Sequence, residues 1–307
     1  MSTQTMMWVV FGVVIGVMFI LDLFVFNRKS HEIKFREALT WTLVWVSLAM
    51  AFNLGVWYFM GPAKALEFLT GYIIEESLSI DNLFVFIMIF SYFQVPRAHQ
   101  PRVLKWGIMG ALVMRAIFII LGIELIERFH WMVYIFGAIL VYTGYKMAFG
   151  GDDKIEPEKN PLVRLVRRFI PITKRMVGDR FFIKRRGILA ATPLFLTLIV
   201  VESSDLIFAV DSIPAVLAVT RDPFIVYSSN VFAIMGLRSL YYLLSHVMEM
   251  FVYLKLGVSF ILAYVGAKML LAGVIKIPLI FSLGMIIGTL TISILVSVLL
   301  AKKPHRS

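Results

Sequence analysis

Cysteine is absent from all 307 residues. That excludes disulfides, thiolate metal sites and any dithiol redox chemistry carried by the chain itself. Charge is scarce: 16% of residues are Asp, Glu, Lys or Arg, against about 25% in soluble domains. Histidine is confined to positions 31, 99, 130, 246 and 305, in loops or near the ends of apolar runs, which leaves no pair for a haem. No Walker loop, nucleophile elbow or zinc-protease helix occurs, and no enzyme chemistry is expected.

What is present is apolar. Hydrophobic residues make up 60% of the chain and the mean hydropathy is +0.87. Segments of about 20 mostly apolar residues, enough to cross a bilayer core, recur from end to end. The reading is an all-α, polytopic membrane helix bundle. A net charge of +11 would suggest nucleic acid in a soluble protein. Here the basic residues sit between spans, where the positive-inside rule and anionic lipid account for them. No aromatic-basic platform accompanies them, so no nucleic-acid partner is expected.

Nine spans are predicted, at about 6–26, 39–60, 66–93, 103–126, 131–149, 188–219, 224–244, 256–271 and 278–300. The first lacks the basic start and small-residue cleavage site of a signal peptide. Between the fifth and sixth lies a long loop, 150–187, acidic at first and then basic. Within it Pro161-Leu-Val-Arg-Leu-Val-Arg-Arg-Phe-Ile170 has one basic and one apolar face at helical spacing, the pattern of a helix lying on the inner leaflet. Basic loops follow the first, third, fifth and ninth spans. Alternation then puts the N-terminus outside and the C-terminus in the cytoplasm of a plasma (inner) membrane protein.

The chain repeats itself. Ile139-Leu-Val-Tyr-Thr-Gly-Tyr-Lys-Met147 and Ile261-Leu-Ala-Tyr-Val-Gly-Ala-Lys-Met269 agree at six of nine positions, offset by 268 − 146 = 122. Arg115 pairs with Arg238 at 123, and Ile74-Glu-Glu-Ser77 with Val201-Glu-Ser-Ser204 at 127. The drift leaves the residue pairing inside the acidic motifs open. Three spans per copy, 66–149 and 188–272, predict an inverted-topology repeat with its site near the midplane.

The acids carry the chemistry. Each costs roughly 2.5–3.5 kcal/mol at membrane depth on insertion scales, so a span that keeps several has a use for them. In the third span Glu75, Ser79 and Asn82 share one face, Asp81 lies about 120° from Glu75, and Glu76 is off the stripe. In the sixth, Glu202 and Asp205 are neighbours at i, i+3, whereas Asp211 falls on the opposite face of an ideal helix. Either the helix breaks near Pro214 or Asp211 has a different partner. An all-oxygen donor set suits Mg²⁺, Ca²⁺ or Mn²⁺ rather than copper or zinc. A proton relay and simple salt bridging to Arg115 and Arg238 are the competing readings.

Leu69-Thr-Gly-Tyr72, Glu75-Glu-Ser-Leu-Ser-Ile-Asp-Asn82, Ser91-Tyr-Phe93, Glu202-Ser-Ser-Asp205 and Phe208-Ala-Val-Asp-Ser-Ile-Pro214 resemble the TerC family of integral membrane proteins, most closely its Alx-type members. The resemblance runs over nearly the whole chain and implies a LysE-like transporter that exports Mn²⁺. Older labels for the family are tellurite resistance and membrane-bound redox modulation. The family pattern keeps a glutamate at Glu75 and varies at Glu76. The expectation is a proton-coupled exporter of a divalent ion with no resident cofactor, sited at Glu75, Asp81, Asn82, Glu202, Asp205 and Asp211, with Ser79 and Ser212 behind them. The expected partners are the lipid bilayer and the ion, and the sequence leaves the oligomeric state open. A scaffold without transport and an exporter of another small solute are the alternatives.

Overall fold

A computed structural model describes residues 3–20, 33–150, 161–173, 176–185, 188–247, 253–275 and 277–300. Ten α-helices, one 3₁₀ turn and one two-stranded hairpin make up these residues. The helices are α1 (Thr3–Ile20), α2 (Phe35–Met60), α3 (Pro62–Tyr92), α4 (Gln100–Arg128), α5 (Met132–Phe149), α6 (Pro161–Phe169), α7 (Pro193–Leu217), α8 (Pro223–Val247), α9 (Leu254–Leu270) and α10 (Leu279–Leu300). Five stretches, Phe35–Met60, Arg97–Arg128, Met132–Phe149, Pro193–Leu217 and Leu279–Leu299, are long and apolar enough to cross a membrane unaided. The chain is an all-α, multi-span membrane protein.

Local chemistry sets the helix ends. Gly61 closes α2 at φ 91° and Pro62 opens α3 directly after it, the positions where glycine and proline cost least. The sixth predicted span is corrected at its start. Residues 188–191 are not helical: β2 (Ile188–Ala191) pairs antiparallel with β1 (Phe182–Arg185), Phe182 opposite Ala191. A short apolar run does not separate strand from helix by periodicity. Thr192 is extended, as the residue before a proline prefers, and Pro193 begins α7 rather than kinking it. Pro214 leaves α7 unbroken, and the helix runs on to Leu217. The predicted amphipathic segment at 161–170 is helical as α6, docked through Val163 with Leu162, Leu165 and Phe169 exposed. Arg102 of α4 ion-pairs with Asp179 beside the hairpin, and this guanidinium holds the Asp179 carboxyl below its usual range.

The core is apolar, and so are the outward faces. The outer helices expose apolar faces, such as Val113 and Ile120 of α4 and Ile280, Ile292 and Leu299 of α10, that only lipid would cover. Polar residues are set within the apolar interior: Ser228, Ser229 and Asn230 of α8 are fully buried. α3 lies against α8, α7 against α4, and α3 and α7 also touch. Trp8 and Phe11 bring α1 to Phe224 of α8, with ring centroids 5.0 and 6.1 Å away.

The closest crossing joins α5 to α9. A Cβ on Gly266 would lie 2.7 Å from the Gly137 carbonyl oxygen and 2.8 Å from the Val141 nitrogen. Gly137 meets the Gly266 carbonyl in return, and Gly144 meets that of Ser259. Such small-residue contacts let backbones approach where no hydrophobic effect drives helices together. Gly266→Ala is therefore expected to cost about 1–3 kcal/mol. In detergent it should melt several degrees below the wild type, whereas Gly284→Ala, with open space around its Cβ, should not.

Candidate cation site

Four helices converge on one side chain. Arg115 of α4 is 1% exposed. It ion-pairs with Glu75 of α3 through a short hydrogen bond. It also donates to Ser212 Oγ of α7 at 3.1 Å and to Asn230 Oδ1 of α8 at 2.9 Å. Its second terminal nitrogen lies 3.6 Å from Asp205 Oδ1, also on α7. A planar guanidinium with donors fanned in one plane can reach three helices at once, as a lysine cannot.

The charges do not balance within this group. One guanidinium faces two carboxylates, and Glu75 is 0% and Asp205 5% exposed. Glu75 Oε2, Asp205 Oδ2, Ser79 Oγ and Arg115 Nε are buried without a hydrogen-bond partner. Buried polar atoms are almost always paired. Two carboxylate oxygens are left over beside Arg115, and Ser79 Oγ is unpartnered one turn along α3 from Glu75.

Glu202 stands one turn before Asp205 on α7, its carboxylate laid across Gly110 of α4. A Cβ at Gly110 would come within 2.2 Å of Oε1 and 2.3 Å of Oε2. Glu202 and Asp205 line a void of about 10 Å³ with Phe86, Gly107, Ala111 and Leu237, room for roughly one water. Asn82, 4% exposed, is buried two turns beyond Glu75 on α3. Glu76 turns the other way. It accepts a hydrogen bond from the Tyr72 hydroxyl at 2.8 Å and lies against Gly236 of α8.

The predicted set is thus brought together only in part. Glu75, Asp205 and Ser212 meet at Arg115, Glu202 is adjacent, and Ser79 and Asn82 share the buried face of α3. Asp211 is not with them. It points about 120° around α7 from Asp205 at 3.6 residues per turn and accepts a hydrogen bond from Thr143 of α5 at 2.9 Å. An unbroken α7 with a separate partner for Asp211 resolves the alternative that the spacing left open. The side chain of Asp81 lies outside the described residues. Among the described residues no three acids or histidines are spaced to hold a metal on their own. Asn230 and Gly110 went unrecognised in the sequence; the polar run Ser228-Ser-Asn230 inside an apolar span was the available signal for the first.

The family model described as "Integral membrane protein TerC family" matches residues 60–305. "Uncharacterized membrane protein STKORF319" of Myxococcus xanthus is 48% identical, over 95% of this chain and 92% of its own. "Putative membrane-bound redox modulator Alx" of Escherichia coli K12 is 46% identical, over 95% of this chain and 94% of its own. An "Uncharacterized membrane protein" of Rickettsia bellii is 37% identical over 96% and 97%. No solved structure matches the chain.

Removing one partner of a buried ion pair costs about 3–5 kcal/mol because the other charge stays buried. Arg115→Gln is expected to lose that much stability, and Arg115→Gln with Glu75→Gln to recover at least half of it. Thermal unfolding of the purified single and double variants measures both; equal melting of Arg115→Gln and wild type would contradict the balance described.

Proposed function

The chain belongs to the TerC family of integral membrane proteins, and from that premise we propose that it exports a divalent cation, Mn²⁺ first among the candidates, in exchange for protons. The observation that carries the reading is the half-satisfied cluster at the centre of the bundle. Glu75 Oε2 and Asp205 Oδ2 are buried and unpartnered beside the Arg115 guanidinium, and Ser79 Oγ is likewise unpartnered one turn along α3 from Glu75. These are hard oxygen donors, the class that suits Mn²⁺, Mg²⁺ and Ca²⁺. Asn82 and Glu202 add two more in reach of the same region, and the sequence reading adds Asp81.

Arg115 supplies the chemistry of exchange. It holds one positive charge against Glu75 and Asp205, so the carboxylates stay tolerable inside the bilayer in the absence of the ion. A doubly charged ion competes with that guanidinium for the same oxygens. Ser212 and Asn230, which already accept hydrogen bonds from Arg115, keep the displaced guanidinium solvated by protein. Protons on the carboxylates neutralise the same surplus charge. Ion and protons therefore exclude each other, which is the requirement of an antiporter.

The architecture supports transport as well. In the predicted repeat α3, α4 and α5 correspond to α7, α8 and α9. Exchanging the two sets turns the α3–α8 contact into α7–α4, and both contacts are present. At offset 122, Gly137 corresponds to Ser259 and Gly144 to Gly266. The α5–α9 crossing then consists of Gly137 on Gly266 and Gly144 on Ser259, the reciprocal pairing that a two-fold axis generates. We read the nine long helices as spans, with an outside N-terminus and the hairpin and α6 on the cytoplasmic side of a plasma membrane. The redox title of the Alx relatives fits an effect exerted through an exported redox-active ion, since this chain has no thiol.

The test is flux. Liposomes holding the purified protein and a Mn²⁺-quenched dye should take up Mn²⁺ faster than empty liposomes, faster still with an opposing proton gradient. Asp205→Asn should be slowed at least tenfold while remaining folded. Wild-type flux equal to that of protein-free liposomes would end the transporter reading.

A further inference from the structure

Glu76 is a half-buried carboxylate that the mechanism above leaves unused. Its position repeats that of Glu202. Glu202 of α7 lies on Gly110 of α4, and Glu76 of α3 lies on Gly236 of α8. The two acids are separated by 202 − 76 = 126 residues and the two glycines by 236 − 110 = 126. The same offset brings the tripeptide Ile108-Met-Gly110 onto Ile234-Met-Gly236 and Glu76-Ser77 onto Glu202-Ser203. It also brings Ser79 onto Asp205, two buried residues that each keep one unpartnered oxygen. This register follows the two glycine contacts; on it Arg115 falls opposite Tyr241, not opposite Arg238 as at offset 123. Glu75 then falls opposite Val201 and has no acidic mate.

The two glycine contacts differ in one respect. At Gly110 a Cβ would meet the Glu202 carboxylate at 2.2 Å, so that contact is closed. At Gly236 the nearest atom of Glu76 is 3.5 Å from the Cβ position and that of Trp45 is 3.6 Å, ordinary contact distances. Inverted repeats change access by exchanging the conformations of their halves around a fixed site.

We propose that Glu76 is a second transport carboxylate, the counterpart of Glu202, and that the Glu76–Gly236 and Glu202–Gly110 contacts close alternately as the protein turns over. This rests on the transporter reading. In the state described here the α4–α7 contact is closed and the α3–α8 contact relaxed; in the opposite state Gly236 receives the Glu76 carboxylate and Gly110 is relieved. A Cβ at position 236 is compatible with the first state and obstructs the second.

Gly236→Ala is therefore expected to melt within a degree or two of wild type yet pass Mn²⁺ at least tenfold more slowly in liposomes. Glu76→Gln, which keeps an acceptor for Tyr72, should slow flux at least tenfold, as Glu202→Gln does. Glu76→Gln or Gly236→Ala retaining more than half of wild-type flux while Glu202→Gln loses it would overturn the proposal. A second readout needs no transport. The chain has no native cysteine, so nitroxide labels at Met88 with Ser245, and at Val113 with Ile207, report the α3–α8 and α4–α7 contacts alone. Wild type should show two distances for each pair and Gly236→Ala one. A single, identical distance in both proteins overturns the alternation even if wild type carries no Mn²⁺, an outcome that would separately sink the transporter reading.

Discussion

A buried guanidinium is the constraint on which the rest of this structure depends. Arg115 is buried among four helices, where an isolated ion is far more costly than any single contact can offset. It is tolerable because three other helices bring it oxygen: Glu75 from α3, Asp205 and Ser212 from α7, Asn230 from α8. The dependence runs both ways, since those acids are tolerable only because Arg115 is there. The helices that contribute each carry a polar residue on a face buried in the bundle. Exposed apolar faces go to α5 and α10 and to the outer side of α4, and the bilayer itself sorts inner helices from outer.

Around that centre, glycine decides how close helices come. The α5–α9 crossing brings backbone against backbone, and the Gly110 contact brings a carboxylate against a helix axis. In lipid there is little hydrophobic gain from helix association, so close packing and polar contacts must supply it. A carboxylate packed on a bare glycine obtains both, because its oxygens sit close to the neighbouring helix without a side chain between.

Much of this was legible in the sequence, and the limits have physical causes. The long spans could be read from runs of 20 apolar residues because bilayer thickness imposes that length. α6 was legible from its single basic face. The pairing of β1 with β2 was not, because Ile188-Leu-Ala-Ala191 is apolar either way and only Thr192-Pro193 marks where helix begins. At the site, Glu75, Asp205 and Ser212 stood out as polar residues in apolar spans. Asn230 and Gly110 depend on how far one helix is slid along another, which spacing along a single chain does not encode. Glu76 was set aside because it left the stripe shared by Glu75, Ser79 and Asn82. A helix at the centre of a bundle has buried neighbours on several sides, so a residue off one stripe can still belong to another.

The continuity of α7 has a mechanical meaning. It carries Asp205 on the side of Arg115 and Asp211 on the side of Thr143, with no break at Pro214 between or after them. The two acids therefore behave like teeth on one shaft. A rotation of α7 that draws Asp205 off its guanidinium turns Asp211 against Thr143 through the same angle. What happens at the central arginine is thereby geared to α5, a third of the way around the helix.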